Sequence, residues 1–594
     1  MSHTPHTTTP HTPPPAPRLA RCVMVLGTTS GAGKSWLATA LCRWYADQGF
    51  KVAPFKAQNM SNNARVVPTP DGRMGEIGSA QYFQALAARA APDVRMNPLL
   101  LKPEADTHSQ VVLMGEVSRE LTDTPWRGRS EKVWPHIAAA LDSLRSENDV
   151  VVIEGAGSPA EINLYDSDIV NMRVARHAEA ACVLISDIDR GGAFAHLYGT
   201  WALLPEGDRA LFKGFVLNKF RGDARLLAPA PQMLEKLTGL PTIATIPMLR
   251  HHGLPEEDGV FDDAPTFGAV APALPPQGAA APWGGPAAQR LPITTPGAVK
   301  LTVAVVAYPR ISNLDEFQPL KNVPGLRLVW ARTPAELDGA DWVILPGSKS
   351  TVADLAWLRA QGLDAAVCQH AARGGAVLGI CGGLQMLGEA LVDTQGVEHR
   401  SRATGHPADG RAEPTVWDGN APGLGLLPLV TSFESHKTLA RTRAQFGQLA
   451  GPWAALSGVV VEGYEIHQGQ TAQHPAMAAG GDVALPVLHA NHGGVTGWCQ
   501  QRLASGRVGG GSGGSATGVS AAPLPGGHVL GIYLHGLFED PHAMQALFGG
   551  RVQVLDQVFD ALGATVAAEF STQTLLGWVE TKDLVRPECN RRQC

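Results

Sequence analysis

The sequence predicts an α/β protein built from two doubly wound domains, and three observations carry that expectation. Strand-length apolar runs alternate with helix-compatible stretches along the chain, the pattern of parallel sheets covered on both faces. Two glycine-rich turns, Gly27–Ser35 and Gly379–Gly383, each follow directly on such a run. At 594 residues the chain is too long for one hydrophobic core, so two domains or more are required.

Taken in order, residues 1–20 are rich in His, Thr and Pro, lack the apolar core of a secretory signal, and read as a disordered tail. The run Arg21–Leu26 is the first strand and ends in a glycine loop. A helix from Trp36 to Gln48 and a strand at Lys51–Phe55 follow. Further buried strands are expected at Val150–Ile153, Ala181–Ile185, Gly214–Leu217 and Thr242–Pro247, filling a first domain over 21–258. Ala, Pro and Gly then dominate 259–299, the composition of a linker. A second domain over 300–570 starts at Leu301–Val306 and continues at Trp342–Leu345 and Ala376–Ile380. Within it, the stretch around 470–527, with its run Gly509–Gly514, reads as a loose surface insertion. Residues 571–594 read as a C-terminal extension.

Bulk composition excludes several classes of function. A formal net charge of −6 leaves no electrostatic footprint for nucleic acid. No uninterrupted apolar stretch reaches membrane length. Eight cysteines without CxxC spacing fit neither a disulfide framework nor a thiolate metal site, so a reduced, cytoplasmic setting is expected. The oligomeric state is not legible.

The first turn, Gly27-Thr28-Thr29-Ser30-Gly31-Ala32-Gly33-Lys34-Ser35, is a phosphate-cradling loop between a strand and a helix. In such loops backbone N–H groups surround phosphate oxygens, the lysine reaches the terminal phosphates and the hydroxyl holds Mg²⁺. ATP and Mg²⁺ are therefore expected, with Thr28, Gly31, Gly33, Lys34 and Ser35 at the nucleotide. Thr28 stands where the usual pattern has its leading glycine. Glu154, ending the next buried strand, is a candidate second Mg²⁺ contact, the alternative being a solvated strand-end charge. The spacing G-T-x-x-x-x-G-K-S resembles the dethiobiotin synthetase branch of P-loop proteins, and by that resemblance Asn218 contacts the base. Partitioning ATPases place a second lysine where this chain has Thr29, which argues against a P-loop regulatory protein carrying an inert cysteine domain.

The second turn sets Cys381 among Gly379, Gly382 and Gly383, ahead of a helical run. A strand-to-helix elbow exposes its nucleophile, and the helix N-terminus favours a thiolate. His535, at the end of Val529–Leu534, is the leading candidate base, with His467 as its rival. This arrangement resembles the class I glutamine amidotransferases, whose domain is flavodoxin-like. The resemblance implies that Cys381 attacks the glutamine amide, that His535 moves the proton, and that N–H groups of Gly382 and of the Pro346-Gly347-Ser348 turn, at Gly347, hold the oxyanion. That family has a glutamate two residues after the histidine. Here the position is Leu537, so Glu465 or Glu539 is expected to orient His535.

The segments Phe55–Asn63, Gly75–Gln81, Met96–Pro103 and Ser186–Gly192 narrow the likeness. They resemble those of the cobyric acid synthases, within the glutamine-dependent corrinoid amidases of the cobalamin pathway. The resemblance implies ATP- and glutamine-dependent amidation of the b, d, e and g carboxylates of adenosylcobyrinic acid a,c-diamide. Gln58, Asn59, Asp187, Asp189 and Arg190 would then position substrate or switch loops. A cobyrinic acid a,c-diamide synthase, or another glutamine-dependent acid-amide ligase, is the alternative within the class.

Overall fold

Alternation within the first strand decides how the N-terminal half is layered. In β1 (Arg21–Gly27), Met24 and Leu26 enter one core with Ile153, Leu184 and Leu217. Val23 and Val25 enter another with Val152, Val183 and Val216. Successive strand residues face opposite sides, so a strand apolar at every position must be covered on both. The computed structural model describes residues 19–105, 108–249, 252–255, 266–267, 299–398, 420–491, 493–502, 527–549 and 555–580. Most of the expected tail, nearly all of the linker and the run 509–514 lie outside the described residues.

After β1 come α1 (Lys34–Asp47), β2 (Val52–Phe55), a hairpin of β3 (Ala64–Pro68) and β4 (Met74–Gly78), and α2 (Ser79–Ala87). Four further strands follow: β5 (Val150–Glu154), β6 (Ala181–Asp187), β7 (Phe212–Phe220) and β8 (Thr242–Pro247). Six of these strands form a sheet in the order β8-β7-β6-β1-β5-β2. Every pairing in it is parallel, so all strand ends that carry loops toward the glycine turn share one edge.

The second half contains β9 (Leu301–Val306), β10 (Ile311–Ser312), β11 (Leu326–Ala331), β12 (Trp342–Leu345), β13 (Gly347–Ser348), β14 (Ala376–Ile380) and α3 (Gly382–Leu387). It continues with β15 (Leu429–Phe446), β16 (Val460–Gln473), β17 (Asp482–Ala490), β18 (Val495–Arg502) and β19 (Val529–Ile532). The sheet runs β11-β9-β12-β14-β19-β18-β17-β15, with β16 on β15. Among these nine strands pairing is parallel as far as β19 and antiparallel beyond it.

Two sequence expectations need correction. The stretch 470–527 is not a loose insertion throughout, because β17 and β18 complete the sheet between β15 and β19. Ala484, Val487 and Leu488 are buried there, and only 503–526 lie outside the described residues. Nor does the second domain run to 570. Helices α4 (Leu555–Glu569) and α5 (Thr572–Val579) return to the first domain and cover α1. Val558, Phe559, Leu562, Val566 and Leu575 share a core with Trp36, Leu37 and Leu41. Each such side chain contributes roughly 1.5–3 kcal/mol when fully buried. Tyr45 fixes the register by donating from its hydroxyl to the Leu575 carbonyl at 2.9 Å. Among the described residues no helix is long and apolar enough to cross a membrane.

Candidate active sites

The loop after β1 closes over its own lysine. The Lys34 side chain lies across Gly27, where an added Cβ would stand 3.0 Å from its Cγ, Cδ and Nζ. Gly27, one residue before Thr28, leaves room for the lysine to fold back over the loop. Thr28 itself turns into the sheet. Its N–H donates to the Ile185 carbonyl and its hydroxyl to Ser186 Oγ, both at 3.0 Å. Gly31 and Gly33 have φ of +71° and +104°, a region that favours glycine. Lys34 Nζ donates to the carbonyls of Thr29 (3.0 Å) and Gly157 (3.1 Å).

Glu154 comes from β5, the strand beside β1, and is buried at the foot of the loop. Ser35 Oγ donates to its Oε1 at 2.7 Å, Lys56 Nζ to the same oxygen at 2.9 Å, and Gln84 Nε2 to Oε2 at 2.6 Å. It is therefore not a solvated strand-end charge. Burial by itself raises its pKa, but Lys56, Ser35 and Gln84 outweigh that and hold it below the usual carboxylate range. Asn218 Nδ2 donates to the Ala32 carbonyl at 2.9 Å, and a Cβ on Gly33 would meet that nitrogen at 2.0 Å. Asn218 thus braces the loop from beneath. Lys219 Nζ adds a bond to the Gly31 carbonyl at 2.9 Å and pairs with Asp187 at 3.2 Å.

The second site forms because β14 and β19 are parallel neighbours, with Ile380 opposite Ile532. Chains leaving both strands emerge at one sheet edge, which brings Cys381 and His535 together. Cys381 has φ +50° and ψ −105°, a strained conformation at the mouth of α3. Close packing holds it there. A Cβ on Gly383 would stand 1.8 Å from the Leu345 carbonyl oxygen, and one on Gly379 would stand 2.7 Å from the Gly383 backbone.

His535 is 1% exposed, and the Cys381 side chain, whose Sγ donates to the Ile466 carbonyl at 3.6 Å, is among the groups that raise its pKa. Its Nδ1 pairs with Glu316 Oε1 at 3.1 Å, while Gly536 N–H donates to Glu316 Oε2 at 3.0 Å. Burial lowers the His535 pKa, but the Glu316 carboxylate and the Cys381 side chain overcome this and raise it to about 10. Glu316 is the orienting carboxylate, and neither Glu465 nor Glu539 has that role. Glu465 accepts from the Thr442 hydroxyl and pairs with His467, while Glu539 pairs with Arg65. The rival His467 has both ring nitrogens engaged, with the Gly469 carbonyl at 2.8 Å and Glu465 at 3.3 Å.

Of the two N–H groups expected to face an oxyanion, that of Gly347 is engaged within the sheet. Ser312 lies opposite Gly347 and Ile311 opposite Ser348, and Lys349 N–H donates to the Arg310 carbonyl at 2.8 Å. Antiparallel pairs alternate between bonded and non-bonded. Gly347 is therefore the bonded partner of Ser312, and the Ser348 N–H leaves the ladder beside Gly382. A Cβ on Gly382 would stand 2.8 Å from that nitrogen.

Family models match both halves. Residues 23–257 match the CobQ/CobB/MinD/ParA nucleotide binding domain, and 302–543 the CobB/CobQ-like glutamine amidotransferase domain. The cobyric acid synthase of Paracidovorax citrulli (strain AAC00-1) is 66% identical over 548 residues, covering 92% of this chain and 96% of its own length. The chain belongs to the cobyric acid synthase family. The cobyric acid synthase of Acidovorax sp. (strain JS42) is 64% identical over 559 residues, or 94% of this chain and 98% of its own. A member of the cobyric acid synthase family performs glutamine-dependent amidation in cobalamin biosynthesis, and the nucleotide-binding domain implies use of ATP.

Sequence reasoning did not single out Glu316, Lys56 or Gln84, and within the Pro346-Gly347-Ser348 turn it pointed to Gly347. A signal for Glu316 was present. The acidic pair Asp315-Glu316 sits inside the apolar-flanked run Ile311–Phe317, which follows the first strand of the second sheet.

Proposed function

We propose that the chain amidates the b, d, e and g side-chain carboxylates of adenosylcobyrinic acid a,c-diamide, giving adenosylcobyric acid. The observation that supports this best is the likeness to cobyric acid synthases along nearly the full chain, with both reactive turns in place. Cys381 attacks the glutamine carboxamide carbon to form a tetrahedral adduct, whose oxyanion is met by the N–H groups of Gly382 and Ser348. His535, held by Glu316, protonates the departing nitrogen. Ammonia leaves a glutamyl thioester, and water then attacks it to release glutamate and the free thiol.

At the first site Lys34 neutralises charge on the transferring γ-phosphoryl group as a corrinoid carboxylate displaces ADP. Ammonia attacks the resulting acyl phosphate, inorganic phosphate leaves, and the amide remains. Ser35 Oγ and Glu154 Oε1, 2.7 Å apart with the carboxylate held below the usual range, are hard oxygen donors of the kind Mg²⁺ takes, and these two residues would hold it. When bound, Mg²⁺ supplies further neutralisation of phosphate charge. Asn218 keeps the loop in shape beneath the nucleotide.

The test is a panel of corrinoid acids with ATP and glutamine, read by mass. Four added amides on the a,c-diamide support the proposal, whereas amidation of the fully acidic precursor alone overturns it. Cys381→Ser is expected to abolish glutamine-driven turnover and keep ammonia-driven turnover.

A further inference from the structure

The amidotransferase base is not held by its own domain alone. Three consecutive residues of the nucleotide-binding half, Asn63, Ala64 and Arg65, grip the turn 313–316 that carries Glu316. Ala64 N–H donates to Asn313 Oδ1 at 2.9 Å, and Leu314 N–H donates to Asn63 Oδ1 at 3.0 Å. Asn313, with φ +54°, places its Nδ2 3.3 Å from His535 Nδ1. Arg65 is 1% exposed, and its guanidinium bonds Asp315, Glu539 and the Tyr464 hydroxyl. The Tyr464 ring in turn stacks on His535, with centroids 5.3 Å apart.

Each of these contacts ends beside the base or beside Glu316, which holds it. Asp315 adjoins Glu316 in the chain, and Tyr464 covers one face of the imidazole. Chemistry explains why an arginine is needed. Asp315, Glu316 and Glu539 are three carboxyl groups gathered around one buried histidine, and a single imidazolium cannot balance them. A forked, always-charged guanidinium meets two of the carboxyl groups and the phenol at once, which an ammonium does less completely.

We infer that Arg65 is a positioning residue of the amidotransferase site, supplied across the domain interface, so that glutamine hydrolysis requires the β3 segment to be docked against the 313–316 turn. The same segment also reaches the other centre. β3 pairs with β4, β4 leads directly into α2, and Gln84 of α2 donates to Glu154. One short run of chain therefore touches both reaction centres. This inference rests on Cys381 and His535 being the hydrolytic pair.

The test uses the full chain with Arg65→Met, Arg65→Lys and Asn63→Ala, measuring kcat and KM for glutamine hydrolysis alongside ammonia-driven amidation. Arg65→Met is expected to lose at least about tenfold in kcat, equivalent to ~1.4 kcal/mol of barrier. Its KM for glutamine and its ammonia-driven rate are expected to stay within about twofold of the parent, the signature of weaker transition-state stabilisation by a base less well held. Arg65→Lys should recover most of the kcat, and Asn63→Ala, which leaves every charge in place, should lose kcat in the same direction by less. Hydrolysis by Arg65→Met at the parent rate overturns the inference. So does a parallel loss of both activities in Arg65→Met that is repeated in Arg65→Lys and absent from Asn63→Ala, since that pattern marks a folding defect. Failure of the underlying reading is distinguishable, because Cys381→Ser would then still hydrolyse glutamine.

Discussion

Replacing Glu316 by Gln tests the amidotransferase geometry most directly. The substitution keeps shape and removes one buried charge 3.1 Å from His535 Nδ1. Glu316 is the largest influence raising the His535 pKa from 6.5 to about 10. Losing that whole elevation corresponds to ~5 kcal/mol at about 1.36 kcal/mol per pKa unit. Coulomb attraction at 4 Å with an effective dielectric of about 20 gives ~4 kcal/mol, and we take this smaller figure. Charged only weakly, His535 becomes a poor acid for the departing ammonia, and a barrier higher by ~4 kcal/mol means about a thousandfold slower glutamine turnover. At about 1.36 kcal/mol per pKa unit the same figure moves the alkaline limb of the glutamine pH profile from about 10 down by about three units, to roughly 7. The stability consequence has a definite sign. A histidine raised on folding stabilises fully below about pH 6.5, and that contribution is lost as pH rises through about 10. Melting temperature should therefore fall more steeply across this window in the parent than in Glu316→Gln. The assay is steady-state glutaminase activity against pH, with ammonia-driven amidation as the control. Parent-like turnover with an unmoved alkaline limb would refute the reasoning.

Three other outcomes follow from the same geometry. Lys34→Ala should abolish ATP-dependent amidation with either nitrogen source while leaving glutamine hydrolysis within about threefold, as measured by phosphate and glutamate release. Gly383→Ala places a methyl group 1.8 Å from the Leu345 carbonyl oxygen, so backbone must move. The expected cost is about 1–3 kcal/mol in denaturant unfolding, with loss of glutamine-driven activity. Ending the chain after Gly549 removes α4 and α5 and uncovers Leu37, Leu41 and Tyr45. The nucleotide-binding half should then melt earlier and lose ATP-driven amidation, read by scanning calorimetry and phosphate release.

Local patterns made much of this protein legible. Apolar strand runs with a glycine turn at their end announce a phosphate loop or a nucleophile elbow, because both need close backbone approach within a few residues. Gly27–Ser35 and Gly379–Gly383 could be read that way, and so could the parallel layers around them. Cys381 and His535 lie 154 positions apart, yet each follows its own strand, so a sheet-edge argument was enough to pair them. What tertiary structure alone decided is partner choice across long separations. Glu316 lies 219 residues before the histidine it orients, and Arg65 lies 250 residues before the aspartate it meets. Strands β17 and β18 were hidden because weak alternation beside a Gly-rich run looks like a loop until β19 requires a neighbour. The return of α4 and α5 to α1 was hidden for a related reason. An amphipathic helix reveals in its sequence that one face must be covered, while the surface that covers it is set by shape and distance in the folded chain.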